Sequence, residues 1–181
     1  MNKIFKLLSY AFWATLASLG GVLIITGSLY LYLSPKLPSV ESLRETKLQT
    51  PLRIYSQDSQ LIGEFGEKRR TPINFEDMPP LYVSALLSAE DDRFYRHGGV
   101  DIAGLLRAAS QLITSGEIKT GGSTITMQVA RNFFLTRTQT FTRKFNEILL
   151  ALRIEDELSK EEILTLYANK IYQGNRAYGI E

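Results

Sequence analysis

The sequence contains no cysteine and only one histidine, His97, among its 181 residues. The lack of cysteine excludes disulfide bonds, zinc–thiolate sites and thiol catalysis. A single histidine excludes a metal centre built from several histidines. Any chemistry must therefore come mainly from carboxylates, amines, guanidinium groups and hydroxyls.

A strong charge of either sign is also missing, because 21 Lys and Arg face 19 Asp and Glu. The excess of +2 is accounted for by Lys3 and Lys6, which precede the first apolar run. A nucleic-acid-binding protein would carry a basic stripe and a high net charge. We therefore expect no nucleic acid among its partners.

No charged residue occurs between Leu7 and Pro35. Residues 10–33 are long enough to cross a bilayer as a helix. Amphipathic aromatic rings, which favour the membrane interface, lie towards both ends of this run: Trp13, Tyr30 and Tyr32. A cleaved signal peptide is the alternative, but it would have a shorter apolar core and a small-residue cleavage site. The pattern favours an uncleaved anchor.

The chain is divided by this run into a cytoplasmic tail (1–9), a transmembrane helix (10–33), a connector (34–50) and a folded domain (51–181). The lysines before the helix favour a cytoplasmic N-terminus. Three bases after it reduce that asymmetry: Lys36, Arg44 and Lys47.

The folded domain is predicted to be mainly α-helical, preceded by a short β-hairpin with strands at 52–55 and 61–65. Helical spacing of apolar residues predicts helices beyond Pro80 and over 140–157. Capping residues predict helices from Asp101 to about residue 114 and from Ser123 to about residue 134. Ser159 with Glu162 forms a capping box for a further helix.

Five bases and no acid lie between residues 118 and 146: Lys119, Arg131, Arg137, Arg143 and Lys144. This stretch could bind an anion, or it could be a solvated face paired with acids elsewhere. Glu147 follows Arg143 by four residues, a spacing that puts both side chains on one helix face.

Residues 90–99 form the first of four segments that could carry chemistry. Glu90 follows an apolar helix and is the acid of the Glu90, Asp91 and Asp92 run that we expect to face inward. Desolvation raises the pKa of a carboxylate in a half-buried cleft, which suits a general base. The alternative is an ordinary polar helix end.

The second segment, residues 121–132, has two glycines before hydroxyl residues at a helix start. Backbone N–H groups there can bind phosphate, although the Gly-Lys-Ser/Thr ending of a P-loop is missing. A glycine turn with a serine cap would look the same. The third and fourth segments, residues 143–147 and 160–172, could each be an ordinary amphipathic helix.

In this order, the four segments resemble the family 51 glycosyltransferase domain, the peptidoglycan polymerase module of class A penicillin-binding proteins. Its signatures are Glu-Asp-x-x-Phe-x-x-His-x-Gly, Gly-x-Ser-Thr-x-Thr-Gln-Gln-x-x-Lys-Asn, Arg-Lys-x-x-Glu and Lys-x-x-Ile-Leu-x-x-Tyr-x-Asn. Residues 66–70 and the helix after Arg143 are similar to the 1A type. Two positions depart from the pattern: Met127 replaces the first glutamine and Arg131 replaces the lysine.

The resemblance implies a lysozyme-like fold and polymerisation of lipid II into β-1,4-linked glycan. By position, Glu90 is the general base, and Glu147 orients basic groups or helps to hold a divalent cation, Mg²⁺ or Mn²⁺. No organic cofactor is implied. The implied substrate-binding residues are Asp91, Phe94, His97, Ser123, Thr124, Gln128, Arg131, Asn132, Arg143 and Lys144. The last of these and the two arginines would face the pyrophosphate leaving group.

The implied partners are lipid II, the growing glycan strand, membrane lipid and other cell-wall synthesis proteins. The implied location is the bacterial inner membrane with the catalytic domain in the periplasm. The sequence stops inside what looks like a continuing helical motif, and family members have more transferase helices after this point and usually a transpeptidase domain, so we expect the sequence to be a fragment.

Two other functions remain open. A pair of carboxylates also describes a lysozyme-like lytic enzyme, but cleavage of a neutral glycosidic bond needs no cationic cluster. An inactive membrane-anchored scaffold with relic motifs is the second alternative.

Overall fold

The computed structural model describes residues 3–44, 51–66, 71–117, 121–135, 140–174 and 177–179. The chain forms two compact units, Met1–Pro38 and Ser39–Glu181. Lys119, Arg137 and residues 67–70, which carried sequence predictions, lie outside the described residues.

The first unit is one long helix, α1 (Lys3–Leu33), followed by a 3-10 turn at Ser34–Lys36. The segment Phe5–Lys36 is long and apolar enough to cross a membrane, with a mean hydropathy of 1.8. Most of its side chains are exposed, as expected for a helix whose surface contacts lipid tails. The predicted helix is therefore present, and it starts before residue 10.

The second unit begins with a short helix, α2 (Glu41–Arg44), inside the segment predicted as a connector. The antiparallel hairpin follows, with β1 (Leu52–Tyr55) and β2 (Leu61–Phe65) at the predicted residues. A cross-strand ion pair joins Arg53 Nε to Glu64 Oε1 at 3.2 Å. The hairpin prediction is confirmed.

The rest of this unit is mainly helical, as predicted and as a lysozyme-like domain requires. Its helices are α3 (Pro80–Glu90), α4 (Ile102–Ser115), α5 (Ile125–Phe134), α6 (Phe141–Glu157) and α7 (Lys160–Lys170), with 3-10 turns at Phe75–Asp77 and Phe94–Arg96. A second small hairpin, β3 (Tyr172–Gly174) and β4 (Ala177–Tyr178), follows α7. The expectation that a helical motif continues to the end of the sequence was therefore wrong for these residues.

The helix ends follow local chemistry, with two corrections. Asp101 stands at the N-cap position of α4 as predicted, but its side chain makes no capping hydrogen bond. Ser159 and Glu162 form the predicted capping box on α7. Ser123 was predicted to cap α5, but Thr124 does so, because its hydroxyl accepts the Met127 N–H at 3.1 Å. The Ser123 hydroxyl instead accepts a hydrogen bond from Lys144, so α5 starts one residue later than predicted.

The core lies where α5 packs against α6 and α7. Its fully buried apolar residues include Ile125, Met127, Val129, Ala130, Leu150, Ala151, Ile154, Ile163 and Leu164. Burial of each large side chain stabilises the fold by roughly 1.5–3 kcal/mol. Met127 packs with Val100 and Ala151, so an apolar residue suits this position, whose side chain points away from solvent.

Candidate active site

The end of α3 separates two neighbouring carboxylates. Glu90 was predicted to face inward, and this was wrong: Glu90 is exposed, whereas Asp91 is only 8% exposed. The reason is that the helix stops at Glu90, and Asp91 adopts φ −162° and ψ 79°. Its carboxylate thereby turns into the domain.

Asp91 is held in place by two segments. Both of its oxygens lie 3.0 Å from His97 Nε2, and Oδ2 also accepts the backbone N–H of Ile125 at 3.0 Å. One carboxylate thus connects the loop after α3 to the first turn of α5. This places Glu90, the preceding residue, at a defined position beside α5.

The loop between α3 and α4 rests on α6 and α7. Phe94 is 1% exposed, and Lys160 Nζ lies 4.3 Å from the centre of its ring. The same ammonium donates to the His97 carbonyl at 2.8 Å and pairs with Glu155 at 2.7 Å. Phe94 and His97 therefore build the support of the site beneath the loop.

An open cleft of about 640 Å³ lies beside Glu90. Its volume is in the range typical of small-molecule sites. It is lined by Ser88, Ala89, Glu90, Asp91, Asp92, Arg107, Gly121, Ser123, Gln128 and Arg131. The first and second motif segments therefore meet in one site, although they are far apart in sequence.

Gln128 connects the exposed glutamate to a cation. Its Nε2 donates to Glu90 Oε2 at 2.9 Å, and its Oε1 lies 3.5 Å from Arg131 Nη2. The arrangement puts a carboxylate and a guanidinium on the same wall of the cleft. A base and a site for negative charge are thus close together.

The second predicted glutamate is in a different environment. Glu147 is 1% exposed, and its Oε1 and Oε2 lie 3.2 Å from Arg143 Nε and 3.0 Å from Lys144 Nζ. The contact with Arg143 is one of charge attraction rather than an aligned hydrogen bond. The predicted sharing of a helix face by Arg143 and Glu147 is confirmed.

Lys144 connects this pair to the cleft, because its Nζ also donates to Ser123 Oγ at 2.6 Å. Ser123 is one of the cleft-lining residues. The buried carboxylate therefore anchors an amine that reaches the wall of the cleft.

Two predicted substrate-binding residues do not line the cleft. Asn132 is exposed and is not among the lining residues. The Thr124 hydroxyl donates a hydrogen bond to the Gly99 carbonyl at 2.6 Å and so stabilises the fold.

A divalent cation held by Glu147 does not fit this arrangement. Both carboxylate oxygens already face cationic nitrogens, which would repel a metal ion. Across the described parts of the chain, no three His, Asp or Glu side chains are grouped so that they could hold a metal.

Arg107 and Tyr167 are among the residues at the site that the sequence did not predict. Arg107 lines the cleft, and the signal for it was that it is the one charged residue in α4. Tyr167 is 2% exposed, and its hydroxyl donates to Gln128 Oε1 at 3.3 Å. It lay in the fourth motif segment, but its contact with α5 depends on the packing of α7.

The comparison with known proteins agrees with the site. Residues 58–181 match the transglycosylase family model. The chain is 61% identical over 176 residues to penicillin-binding protein 1A of Pseudomonas aeruginosa, covering 97% of this chain and 21% of that protein. It is 53% identical over 152 residues to the Escherichia coli protein of the same name, covering 84% and 18%.

A third relative, penicillin-binding protein 1A of Vibrio cholerae, is 49% identical over 160 residues, covering 88% of this chain and 19% of that protein. The chain thus spans about a fifth of the length of the curated relatives it matches. The family model covers more than half of the chain, including both walls of the cleft. The chain belongs to the transglycosylase family.

Proposed function

We propose that the protein is a peptidoglycan glycosyltransferase that polymerises lipid II into β-1,4-linked glycan strands. The observation that carries this proposal is the placement of Glu90 beside Arg131 in one cleft, with Gln128 between them. Membership of the transglycosylase family supports it.

In the proposed reaction, Glu90 acts as the general base. Its exposed carboxylate accepts the proton of the acceptor sugar's 4-hydroxyl as that oxygen bonds to the anomeric carbon of the donor. The bond between that carbon and the lipid pyrophosphate breaks, and the pyrophosphate leaves with the bonding electrons. A sugar hydroxyl needs such a base, since it is a poor nucleophile at neutral pH.

The cations of the site stabilise the leaving group. Negative charge grows on the pyrophosphate in the transition state, and preorganised cations lower the energy of that charge. Arg131 lines the cleft, and Lys144 reaches it through Ser123 while remaining 37% exposed. Arg107 adds a third positive charge to the lining.

Glu147 serves this reaction indirectly. It holds Arg143 and Lys144 in fixed positions, at 3.2 and 3.0 Å. The same burial argues against the lytic alternative, in which a second carboxylate works at the sugar ring or activates a water beside it. A carboxylate that is 1% exposed and paired with two cations cannot reach a sugar.

The proposed location is the bacterial inner membrane. Helix α1 would span the bilayer, with the N-terminus in the cytoplasm and the catalytic domain in the periplasm, in contact with membrane lipid and other cell-wall synthesis proteins. Because the chain lacks cysteine, a single introduced cysteine shows on which side of the membrane its position lies. Asp58→Cys in intact spheroplasts should react with an impermeant maleimide; protection until lysis would contradict this orientation.

The reaction is tested with labelled lipid II and, separately, with finished glycan. The unsubstituted protein should lengthen lipid II into polymer, and Glu90→Gln should lower the rate by at least about 100-fold. Glu117→Gln, which alters an exposed carboxylate at the end of α4, is the control and should retain the full rate. Shortening of finished glycan would instead support a lytic enzyme. No change in either substrate would leave a scaffold or a segment too short to work, and a protein extended beyond residue 181 would distinguish these two.

A further inference from the structure

We infer that Tyr167 is a positioning residue for the general base: its hydroxyl holds the Gln128 side-chain amide in the orientation that presents an N–H group to Glu90. The inference rests on the proposed function, because it requires Glu90 to be the base. It assigns a part in catalysis to a buried residue on α7 that lies outside the lining of the cleft.

The orientation of the Gln128 amide follows from its two charged neighbours, Glu90 and Arg131. An ionised carboxylate can only accept hydrogen bonds, so the atom 2.9 Å from Glu90 Oε2 must be the amide nitrogen. A guanidinium can only donate, so the atom 3.5 Å from Arg131 Nη2 must be the amide oxygen. The two constraints agree, and the assignment of oxygen and nitrogen follows from chemistry.

The tyrosine is the lasting partner of the amide oxygen. Arg131 lies at the limit of hydrogen-bonding distance and faces the cleft, where an anionic substrate would compete for it. Tyr167 is closer, at 3.3 Å, and its 2% exposed ring is packed in the core. Substrate binding can therefore take Arg131 away from the amide, but not Tyr167.

The tyrosine hydroxyl also stays protonated. Burial raises the pKa of Tyr167 well above its ordinary value, and the nearby negative charge of Glu90 raises this pKa further. The O–H group is therefore available as a donor throughout the neutral pH range, and the Gln128 amide oxygen accepts from it at 3.3 Å. A rotated amide would donate to the hydroxyl oxygen instead, but it would place its own oxygen against the Glu90 carboxylate, so Tyr167 and Glu90 are both satisfied in the observed orientation.

The consequence for Glu90 is a fixed carboxylate plane. Glu90 is exposed at the end of α3, and within the described residues the Gln128 amide is its one hydrogen-bond donor. The bond at Oε2 leaves Oε1 to take the proton of the acceptor hydroxyl. Without the Tyr167 hydroxyl, the amide oxygen has lost its buried partner when Arg131 engages the substrate, so the Gln128 side chain can move away from Glu90 and the carboxylate loses its orientation.

Tyr167→Phe is the direct test, and Tyr82→Phe is its matched control. Tyr82, on α3, also carries a buried hydroxyl, but that hydroxyl has no hydrogen-bond partner in the described structure. With lipid II as substrate, Tyr167→Phe should lower kcat by about tenfold, as expected for loss of one hydrogen bond, and leave KM within about twofold. Tyr82→Phe should leave both constants unchanged.

A double-mutant cycle separates positioning from general loosening of the fold. Gln128→Leu alone should lower kcat at least as much as Tyr167→Phe does. In the Gln128→Leu background, Tyr167→Phe should then cost nothing more, because the group through which it acts is gone. This comparison stays valid if Tyr167→Phe also lowers the melting temperature.

Three results would overturn the inference: additive losses in the double variant, a full kcat in Gln128→Leu, or equal losses in the two tyrosine variants. Glu90→Gln is assayed alongside. If Glu90→Gln stays active, the proposed function fails and the inference with it. If Glu90→Gln is inactive while the losses are additive, only the assignment of Tyr167 fails.

Discussion

Lys144 and Glu147 form a 3.0 Å ion pair in which the carboxylate is 1% exposed and the ammonium side chain is 37% exposed. The two ends of the pair therefore have different roles. The carboxylate is a buried anchor, and the amine remains partly available to a ligand. Removal of the anchor should disturb the cations more than it disturbs the shape of the cleft.

Glu147→Gln is therefore expected to lower the polymerisation rate on the order of 100-fold, the cost typical of removing one preorganised electrostatic contact. It should also destabilise the protein by roughly 1–3 kcal/mol, because two cations lose their counter-charge. Lipid II assays and urea unfolding measure the two effects. Asp156→Asn, an exposed acid on the same helix, is the control. Full activity in Glu147→Gln would contradict the anchoring role.

Met127→Gln, which restores the residue expected from the family signature, should destabilise this protein. Met127 is 0% exposed and packs against Val100 and Ala151. A buried amide without partners costs roughly 1–3 kcal/mol. Urea unfolding checks this, with the volume-conserving Met127→Leu as control. If Met127→Gln proved as stable as the unsubstituted protein, a polar partner must exist in this core.

Gly99→Ala should be far more damaging than Gly98→Ala. A Cβ atom at Gly99 would lie 2.6 Å from the Ala151 carbonyl oxygen, at a φ of +86°. A Cβ atom at Gly98 would meet nothing within 4 Å. We expect Gly99→Ala to cost at least about 2 kcal/mol, and Gly98→Ala to be nearly neutral. Thermal melting of both variants tests this, and equal melting temperatures would show that the loop can move away from α6.

Asp101→Asn should change how stability depends on pH. The hydrogen bond from Arg93 holds the pKa of Asp101 below its ordinary value of 3.8. A lowered folded-state pKa adds stability above the ordinary value, and this is lost as pH falls through the folded-state pKa. The stability difference between the two proteins should thus be constant above about pH 5 and shrink below pH 3.8. A difference that grows in acid would contradict the pairing.

The helices could be predicted from sequence where local chemistry decides their ends. The Ser159–Glu162 box and the helix predicted over 140–157 are examples, and both were confirmed. The directions of side chains at helix ends could not be predicted. Whether Glu90 or Asp91 turns inward depends on His97 and Ile125, which reach Asp91 only in the folded domain.

The site could be predicted only in part. The motif residues were assigned through a family resemblance, since each segment alone also fitted an ordinary helix. Tyr167 lies 39 positions from Gln128, and Arg107 reaches the cleft from another helix. Such contacts depend on how helices pack, and a periodic pattern in one segment does not contain that information.

Arg44 has a consequence for how chimaeras of this protein should be joined. Its Nη2 donates to the Glu157 carbonyl at 2.9 Å, and its Nε pairs with Glu162 at 3.3 Å. The end of α6 and the start of α7 thus share a cation from a segment that precedes the hairpin. A chimaera that exchanges the membrane anchor should therefore place its junction ahead of Ser39. Arg44 then stays in the same protein as the α6–α7 junction that it stabilises.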